Sequence, residues 1–150
     1  MSFTIRLAKK EDASTILQFI ISLAKYEKLE HEVVATEDLL KETLFGATPQ
    51  AEALLAFEND TAVGFALFFS NYSTFLGRAG IHLEDLFVLK EFRGRGYGKA
   101  LLDTMQDIAE KRQAGRLEWN VLDWNTPAIQ FYESMGAEPV SGWTTYRMTF

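Results

Sequence analysis

The sequence has no cysteine among its 150 residues. That absence excludes structural disulfides, metal sites built on thiolates and any covalent mechanism through an enzyme thiol. Proline is also scarce, with three in the chain, and no proline-, glycine- or serine-rich linker divides the sequence. Because a chain of this length buries about two-thirds of its unfolded surface, we expect a single domain over residues 1–150.

Long apolar runs and a basic leader are likewise absent. The longest apolar stretch, residues 62–69, is interrupted by Gly64 and is too short to cross a bilayer. We therefore expect a cytoplasmic protein that does not bind a membrane. Fifteen lysines and arginines against 21 acids give a net charge of −6, which disfavours nucleic acid as a partner.

Hydrophobic periodicity predicts an α/β fold with one mixed sheet and helices on both of its faces. Strands are predicted at residues 3–7, 51–57, 62–71, 81–89, 117–122 and 142–150. Helices are predicted to begin at Asp12 or Ser14, after Thr36 as an N-cap, after the glycine-rich turn of residues 93–98, and at Thr126. The predicted order is β-α-α-β-β-β-α-β-α-β.

The most informative segment is the strand, turn and helix of residues 83–99. Its glycines allow a tight turn, so that successive N–H groups and a helix N-terminus converge on phosphate oxygens. Arg93, Arg95 and Lys99 add positive charge. The Walker A pattern fails because Arg93 and Ala100 stand where it needs glycine and a hydroxyl residue, and the dinucleotide pattern lacks its last glycine. An ordinary glycine-rich turn stays an alternative on these residues alone.

The spacing Arg93-x-x-Gly96-x-Gly98 resembles the acetyl-CoA pyrophosphate loop of the GNAT N-acetyltransferase superfamily. Residues 125–137 resemble that superfamily's second motif at its usual distance downstream, and the predicted element order is similar to its fold. Three further segments resemble the spermidine/spermine N-acetyltransferase group and its thialysine acetyltransferase relatives: residues 23–27, 82–85 and 124–125. The resemblance covers nearly the whole chain.

This resemblance implies acetyl transfer from acetyl-CoA to a primary amine of a small cationic acceptor, without a metal, by a homodimer. In the family, backbone N–H groups at Phe87 and Val88 receive the thioester carbonyl. Asn125 is also expected to cap its helix whatever the function. The residues implied to bind acetyl-CoA are Leu86, Phe87, Val88, Arg93, Gly94, Arg95, Gly96, Tyr97, Gly98, Lys99, Asn125, Pro127 and Ala128.

Glu84 is the candidate general base. Strand alternation predicts Glu84 on one face with His82, and Asp85 on the opposite face with Phe87. A salt bridge or an open sheet edge explains a lone strand acid more simply, but the adjoining phosphate loop favours a catalytic site. An amine with a pKa of about 10.4 becomes a free base at neutral pH at a cost of about 4.6 kcal/mol. A carboxylate in a dry cleft can accept that proton, and the resemblance implies that it does so through water.

Tyr132 is the candidate general acid. It follows Asn125 by seven residues, so both lie on one side of the predicted helix. Core packing is the alternative for an aromatic at this spacing. A phenol with a pKa of about 10 can protonate a thiolate whose conjugate acid has a pKa of about 8.5, and the resemblance implies that role. Without a cysteine for an acyl-enzyme, direct attack of the amine on the thioester is the remaining simple mechanism.

The acceptor is expected to bind at Tyr26, Glu27, Glu84 and Asp85. Residues 27–42 hold six acids against two lysines, which suits a ligand with two or more positive charges. A solvated acidic face explains the same pattern.

Two positions narrow the choice of acceptor. Where the polyamine branch of the resemblance carries an acid and a tryptophan, this chain has Ser73 and Phe75. The chain therefore favours a short diamine or an amino acid with a side-chain amine over spermine. The alternatives are a protein α-amine or lysine as the acceptor, and an acetyl-CoA-binding module without turnover.

Overall fold

A computed structural model of the chain describes residues 1–150. Its elements confirm an α/β fold and the predicted positions of all four helices. No helix in it combines the length and apolar content that crossing a bilayer requires. The elements are β1 (Phe3–Leu7), α1 (Ala13–Tyr26), α2 (Glu37–Phe45), β2 (Glu52–Glu58), β3 (Thr61–Ser73), β4 (Arg78–Val88), α3 (Tyr97–Lys111), β5 (Leu117–Glu118) and α4 (Thr126–Ser134).

The chain divides into two units, residues 1–120 and residues 121–150. The expectation of a single domain over residues 1–150 stays a prediction. The first unit contains the whole sheet together with α1, α2 and α3, and the second contains α4.

The first unit is built on one five-stranded sheet in the order β1-β2-β3-β4-β5. Strands β1 to β4 are antiparallel neighbours, and β5 runs parallel to β4. The predicted hairpin between β2 and β3 turns at Asn59, whose φ of 55° lies in the left-handed region that asparagine tolerates in tight turns. The sheet is therefore mixed, as predicted.

Helices cover both faces of this sheet. On one face, the apolar sides of α1 and α2 pack against β2, β3 and β4, and Phe19 stacks on Phe65 with ring centroids 5.3 Å apart. On the other face lies α3, whose Leu101 and Met105 are fully buried. Arg112, at the end of α3, lies over the ring of Phe68 on that face. The apolar residues that recur every three or four positions, and that predict these helices, are thus the residues that each helix buries against the sheet.

Two of the predicted capping residues act as caps. Thr36 Oγ1 accepts a hydrogen bond from the N–H of Leu39 at 3.1 Å at the start of α2. Asn125 Oδ1 accepts one from the N–H of Ala128 at 3.3 Å at the start of α4. Each bond satisfies an N–H that has no partner within its helix.

The end of the chain differs from the prediction. The strand predicted over residues 142–150 is not formed, since no helix or strand follows Ser134. The strand predicted over residues 117–122 is shorter and pairs with β4 through Leu117 and Glu118 alone. Trp143 in the last segment is 82% exposed. Alternation indicates which face a strand would bury, but a strand forms only where a neighbour pairs with its N–H and C=O groups.

Candidate active site

The two acids of β4 lie at a bulge. Asp85 pairs with Leu67 of β3, and Leu83 pairs with the next β3 residue, Phe68, so that Glu84 is an extra residue without a β3 partner. An extra residue interrupts the alternation of side chains along a strand. The predicted placement of Glu84 and Asp85 on opposite faces therefore does not hold.

Glu27, Glu84 and Asp85 form what we call the acidic cluster, at the end of α1. Burial, followed by the charges of Glu84 and Glu27, raises the pKa of Asp85 to about 7. Burial, followed by the charge of Glu84, also raises the pKa of Glu27. The side chain of Glu84 is 57% exposed, with Oε1 3.8 Å from Nε2 of His82. The desolvated carboxyl expected at Glu84 is therefore at Asp85.

Arg93 connects the glycine turn to the aromatic residues beside this cluster. Tyr26, the last residue of α1, packs against Phe87 of β4 with ring centroids 6.4 Å apart. The guanidinium carbon of Arg93 lies 5.1 Å from the ring centre of Tyr26 and 5.3 Å from that of Phe87. Its Nε donates to the carbonyl of Val88 at 2.9 Å. Arg93 thus contacts α1 and β4 through its side chain.

The main chain of the glycine turn, residues 93–98, is open to its surroundings at Gly94 and Gly96. Gly94 and Gly96 have φ values of 80° and 83°, in the left-handed region that favours glycine. A Cβ added at either position would meet no atom within 4 Å. Gly96 is the N-cap residue of α3, and no side chain caps this helix. The first N–H groups of α3 are therefore suited to bind an anion.

The two other cations of this region have partners within the chain. Arg95 Nη1 donates to Glu58 Oε1, and the hydroxyl of Tyr97 donates to the same oxygen. Lys99 Nζ lies 2.8 Å from Asp103 Oδ2, one helical turn further along α3. The main-chain N–H groups of the turn are therefore more available to an anion than the side-chain charges of Arg95 and Lys99.

The last residues of β4 have an edge without a strand partner. β5 pairs only with residues 81–82, while the N–H of Leu89 donates to β3. Because main-chain groups alternate in direction along a strand, Phe87 directs its N–H toward β3, whereas Leu86 and Val88 direct theirs away from it. Of the two N–H groups predicted to receive a thioester carbonyl, that of Val88 is the better placed.

The second predicted motif forms α4 in the second unit. Asn125 is 6% exposed and caps the helix through Ala128, as predicted. Pro127 lies in the first turn of α4, where an N–H group would have no partner within the helix, so proline costs no hydrogen bond there. Tyr132 is half-buried and its ring lies 5.5 Å from that of Phe131, between centroids. The catalytic role of Tyr132 stays a prediction.

The structure adds two residues that were not predicted at the site. The ring of His82 lies 5.1 Å from the ring of Phe69 between centroids, and its Nε2 lies 3.8 Å from Oε1 of Glu84. The sequence could have indicated His82, because residues two apart on a strand lie on the same face and His82 precedes Glu84 by two. Glu58 has no such signal, because its contacts with the glycine turn depend on how β2 packs beside it.

The chain is similar to known proteins in sequence and in fold. Residues 17–137 match the acetyltransferase (GNAT) family. A thialysine N-epsilon-acetyltransferase of Bos taurus is 36% identical over 95% of this chain and 90% of its own length. An L-ornithine N5-acetyltransferase of Arabidopsis thaliana is 35% identical over 97% of this chain and 83% of its own. The solved structure of an integron cassette protein from the mobile metagenome of V. cholerae superposes with a TM-score of 0.83 and 26% identity, covering 100% of this chain and 94% of that one.

Proposed function

Since the chain belongs to the GNAT family of acetyltransferases and is an N-acetyltransferase that acts on amines, we propose that its acceptor is a short diamine or an amino acid with a side-chain amine. The observation that carries this proposal is the acidic cluster at the end of α1, with a carboxyl whose pKa is raised to about 7. Carboxylates held close together are stabilised by a cation of two or more charges.

The glycine turn fits the diphosphate of acetyl-CoA. The left-handed glycines leave the main chain open, and the first turn of α3 offers N–H groups that no side chain caps. The unpaired edge of β4 adds the main chain of Leu86 and Val88, which can hold the acyl end of the same molecule. Acetyl-CoA supplies an acetyl group that is activated as a thioester. The residues present therefore fit this co-substrate.

The acidic cluster binds the amine and removes its proton. An ammonium close to Glu27 and Asp85 stabilises their charged forms, and the carboxylates lower its free energy in return. We assign Glu84 the role of general base through water. Its exposure of 57% suits this route, because a water molecule can reach both the carboxylate and the amine. The free amine then attacks the thioester directly, since the chain has no cysteine to form an acyl-enzyme.

We assign Tyr132 the protonation of the departing thiolate, on the chemical ground that a phenol is a suitable acid for a thiolate at neutral pH. Tyr132→Phe is expected to lower kcat about a hundredfold with little change in the Kd for coenzyme A. Tyr146→Phe is the matched control, because Tyr146 is 92% exposed and belongs to the same unit. Unchanged turnover in Tyr132→Phe would remove the assigned role.

The β3–β4 hairpin supports a short acceptor. Ser73 is buried and its hydroxyl accepts a hydrogen bond from the N–H of Leu76 at 3.2 Å, so it is used within the turn. Phe75, two residues later, is 93% exposed. Neither residue provides a negative charge for a distant ammonium group. Steady-state rates with thialysine, lysine, ornithine, putrescine, spermidine and spermine test this choice, and a clear preference for spermine would reject it.

The oligomeric state is proposed from the resemblance alone. The protein is expected to form a homodimer in the cytoplasm. Light scattering at micromolar concentration tests whether the protein is a dimer. A measured mass equal to that of one chain would contradict this expectation.

A further inference from the structure

Glu58, the last residue of β2, binds both residues that flank Gly96. Its Oε1 accepts hydrogen bonds from Arg95 Nη1 and from the hydroxyl of Tyr97, each at 2.5 Å. These partners lie 37 and 39 residues further along the chain, so the arrangement depends on the packing of α3 against the sheet. Gly96, between them, has a left-handed conformation and begins α3.

Other contacts support the same arrangement. The side chain of Glu58 is 12% exposed, and the hydrogen bond from Tyr97, followed by that from Arg95, holds the pKa of Glu58 below its usual range. The ring of Tyr97 stacks on Phe3 of β1 with centroids 4.0 Å apart and planes at 8°. The guanidinium of Arg95 lies 5.1 Å from the ring centre of Phe92. Each partner of Glu58 therefore has a second contact, Tyr97 with Phe3 and Arg95 with Phe92.

We propose that Glu58 is a positioning residue for acetyl-CoA binding. By holding Arg95 and Tyr97, it fixes the conformation of Gly96 and the direction of the first N–H groups of α3. A carboxylate repels a diphosphate, so its effect on binding comes through the two residues that it holds. The inference rests on the proposed function, in which those N–H groups bind the diphosphate.

A matched control lies at the other ends of the same two elements. Glu52, the first residue of β2, accepts hydrogen bonds from both terminal nitrogens of Arg112 at 2.7 and 2.9 Å. Arg112 directly follows the last residue of α3. This pair attaches α3 to β2 as Glu58 does, but at the end of the helix away from the glycine turn. If Glu58 only attached the helix, loss of Glu52 would weaken coenzyme A binding as much as loss of Glu58.

The experiment is a calorimetric titration of coenzyme A into the wild type, Glu58→Ala, Glu58→Gln and Glu52→Ala, with urea unfolding of each. Glu58→Ala is expected to raise the Kd about tenfold, because both hydrogen bonds are lost. Glu52→Ala is expected to stay within about twofold of the wild type. Glu58→Gln keeps an acceptor oxygen and is expected to recover part of the affinity. The KM for the amine is expected to be the same in all four proteins.

Three results would overturn the proposal while the proposed function stands. They are an unchanged Kd in Glu58→Ala, tighter binding in Glu58→Ala, and equal weakening in Glu52→Ala. A wild type that does not bind coenzyme A would overturn the proposed function and this inference with it. If Glu58→Ala does not fold, Tyr97→Phe keeps the ring on Phe3 and removes one of the two hydrogen bonds. Its Kd is expected to rise about threefold, and an unchanged value would contradict the proposal.

Discussion

Asp85 and Glu84 are neighbours on β4, yet burial and the charge of Glu84 raise the pKa of Asp85 to about 7 while the side chain of Glu84 is 57% exposed. The bulge causes this difference, because it inserts Glu84 as an extra residue and lets Asp85 keep its pairing with β3. One carboxyl is thus close to its titration point at neutral pH, and the other is in contact with water. The two acids can divide the tasks of binding a cationic amine and accepting its proton.

Binding of a diamine is expected to release protons from the acidic cluster. A nearby cation favours the charged form of Asp85, so its pKa falls and the proton held at pH 7 is lost. Calorimetric titration of putrescine into the protein with coenzyme A, in two buffers of different ionisation enthalpy, is expected to show release of about half a proton at pH 7. Asp85→Asn is expected to lose most of that release, and equal heats in both buffers would contradict the prediction.

The raised pKa of Asp85 also predicts how stability changes with pH. Between about pH 4 and pH 7 the folded protein keeps a proton that the unfolded chain has released, so the free energy of unfolding falls as pH rises. Asp85→Asn removes this ionisation. Its free energy of unfolding is expected to exceed that of the wild type by roughly 4 kcal/mol at pH 8, and by only about 1 kcal/mol near pH 4.5. Urea unfolding at both pH values measures the two differences, which should not be equal.

Glu84→Gln is expected to lower kcat about a hundredfold, because it removes the proton acceptor and keeps the size of the side chain. The Kd for coenzyme A is expected to stay unchanged. Glu30→Gln is the control, because Glu30 is an exposed acid that pairs with Lys25 at 3.5 Å. Full turnover in Glu84→Gln would mean that another group accepts the proton.

Gly96→Ala tests the glycine turn. The added Cβ meets no atom within 4 Å, so the cost comes from the left-handed conformation and is expected to be about 1 kcal/mol of the free energy of unfolding. Relaxation of that conformation is also expected to weaken coenzyme A binding. Gly77→Ala is the control, because Gly77 has a φ of 67° and equally open surroundings at the tip of the β3–β4 hairpin. It is expected to lose similar stability, and equal loss of coenzyme A binding would contradict the prediction.

Features that depend on nearby residues could be predicted from the sequence. The sequence alone indicates Thr36 and Asn125 as caps, because the capping oxygen binds an N–H only three residues away. The bulge at Glu84 could not be predicted, because it is defined by pairing with β3. The partners of Glu58 depend on α3 packing beside β2, and the strand expected over residues 142–150 required a neighbour that its own alternation does not specify. The periodicity of a single segment therefore does not determine which distant segments pair with it.

The most direct test of acetyl transfer to a side-chain amine is product analysis by mass spectrometry after incubation with acetyl-CoA and ornithine or thialysine. The expected products are an acceptor that carries one acetyl group, and free coenzyme A in equal amount. Bound coenzyme A without any acetylated amine would contradict it and would indicate a binding module without turnover.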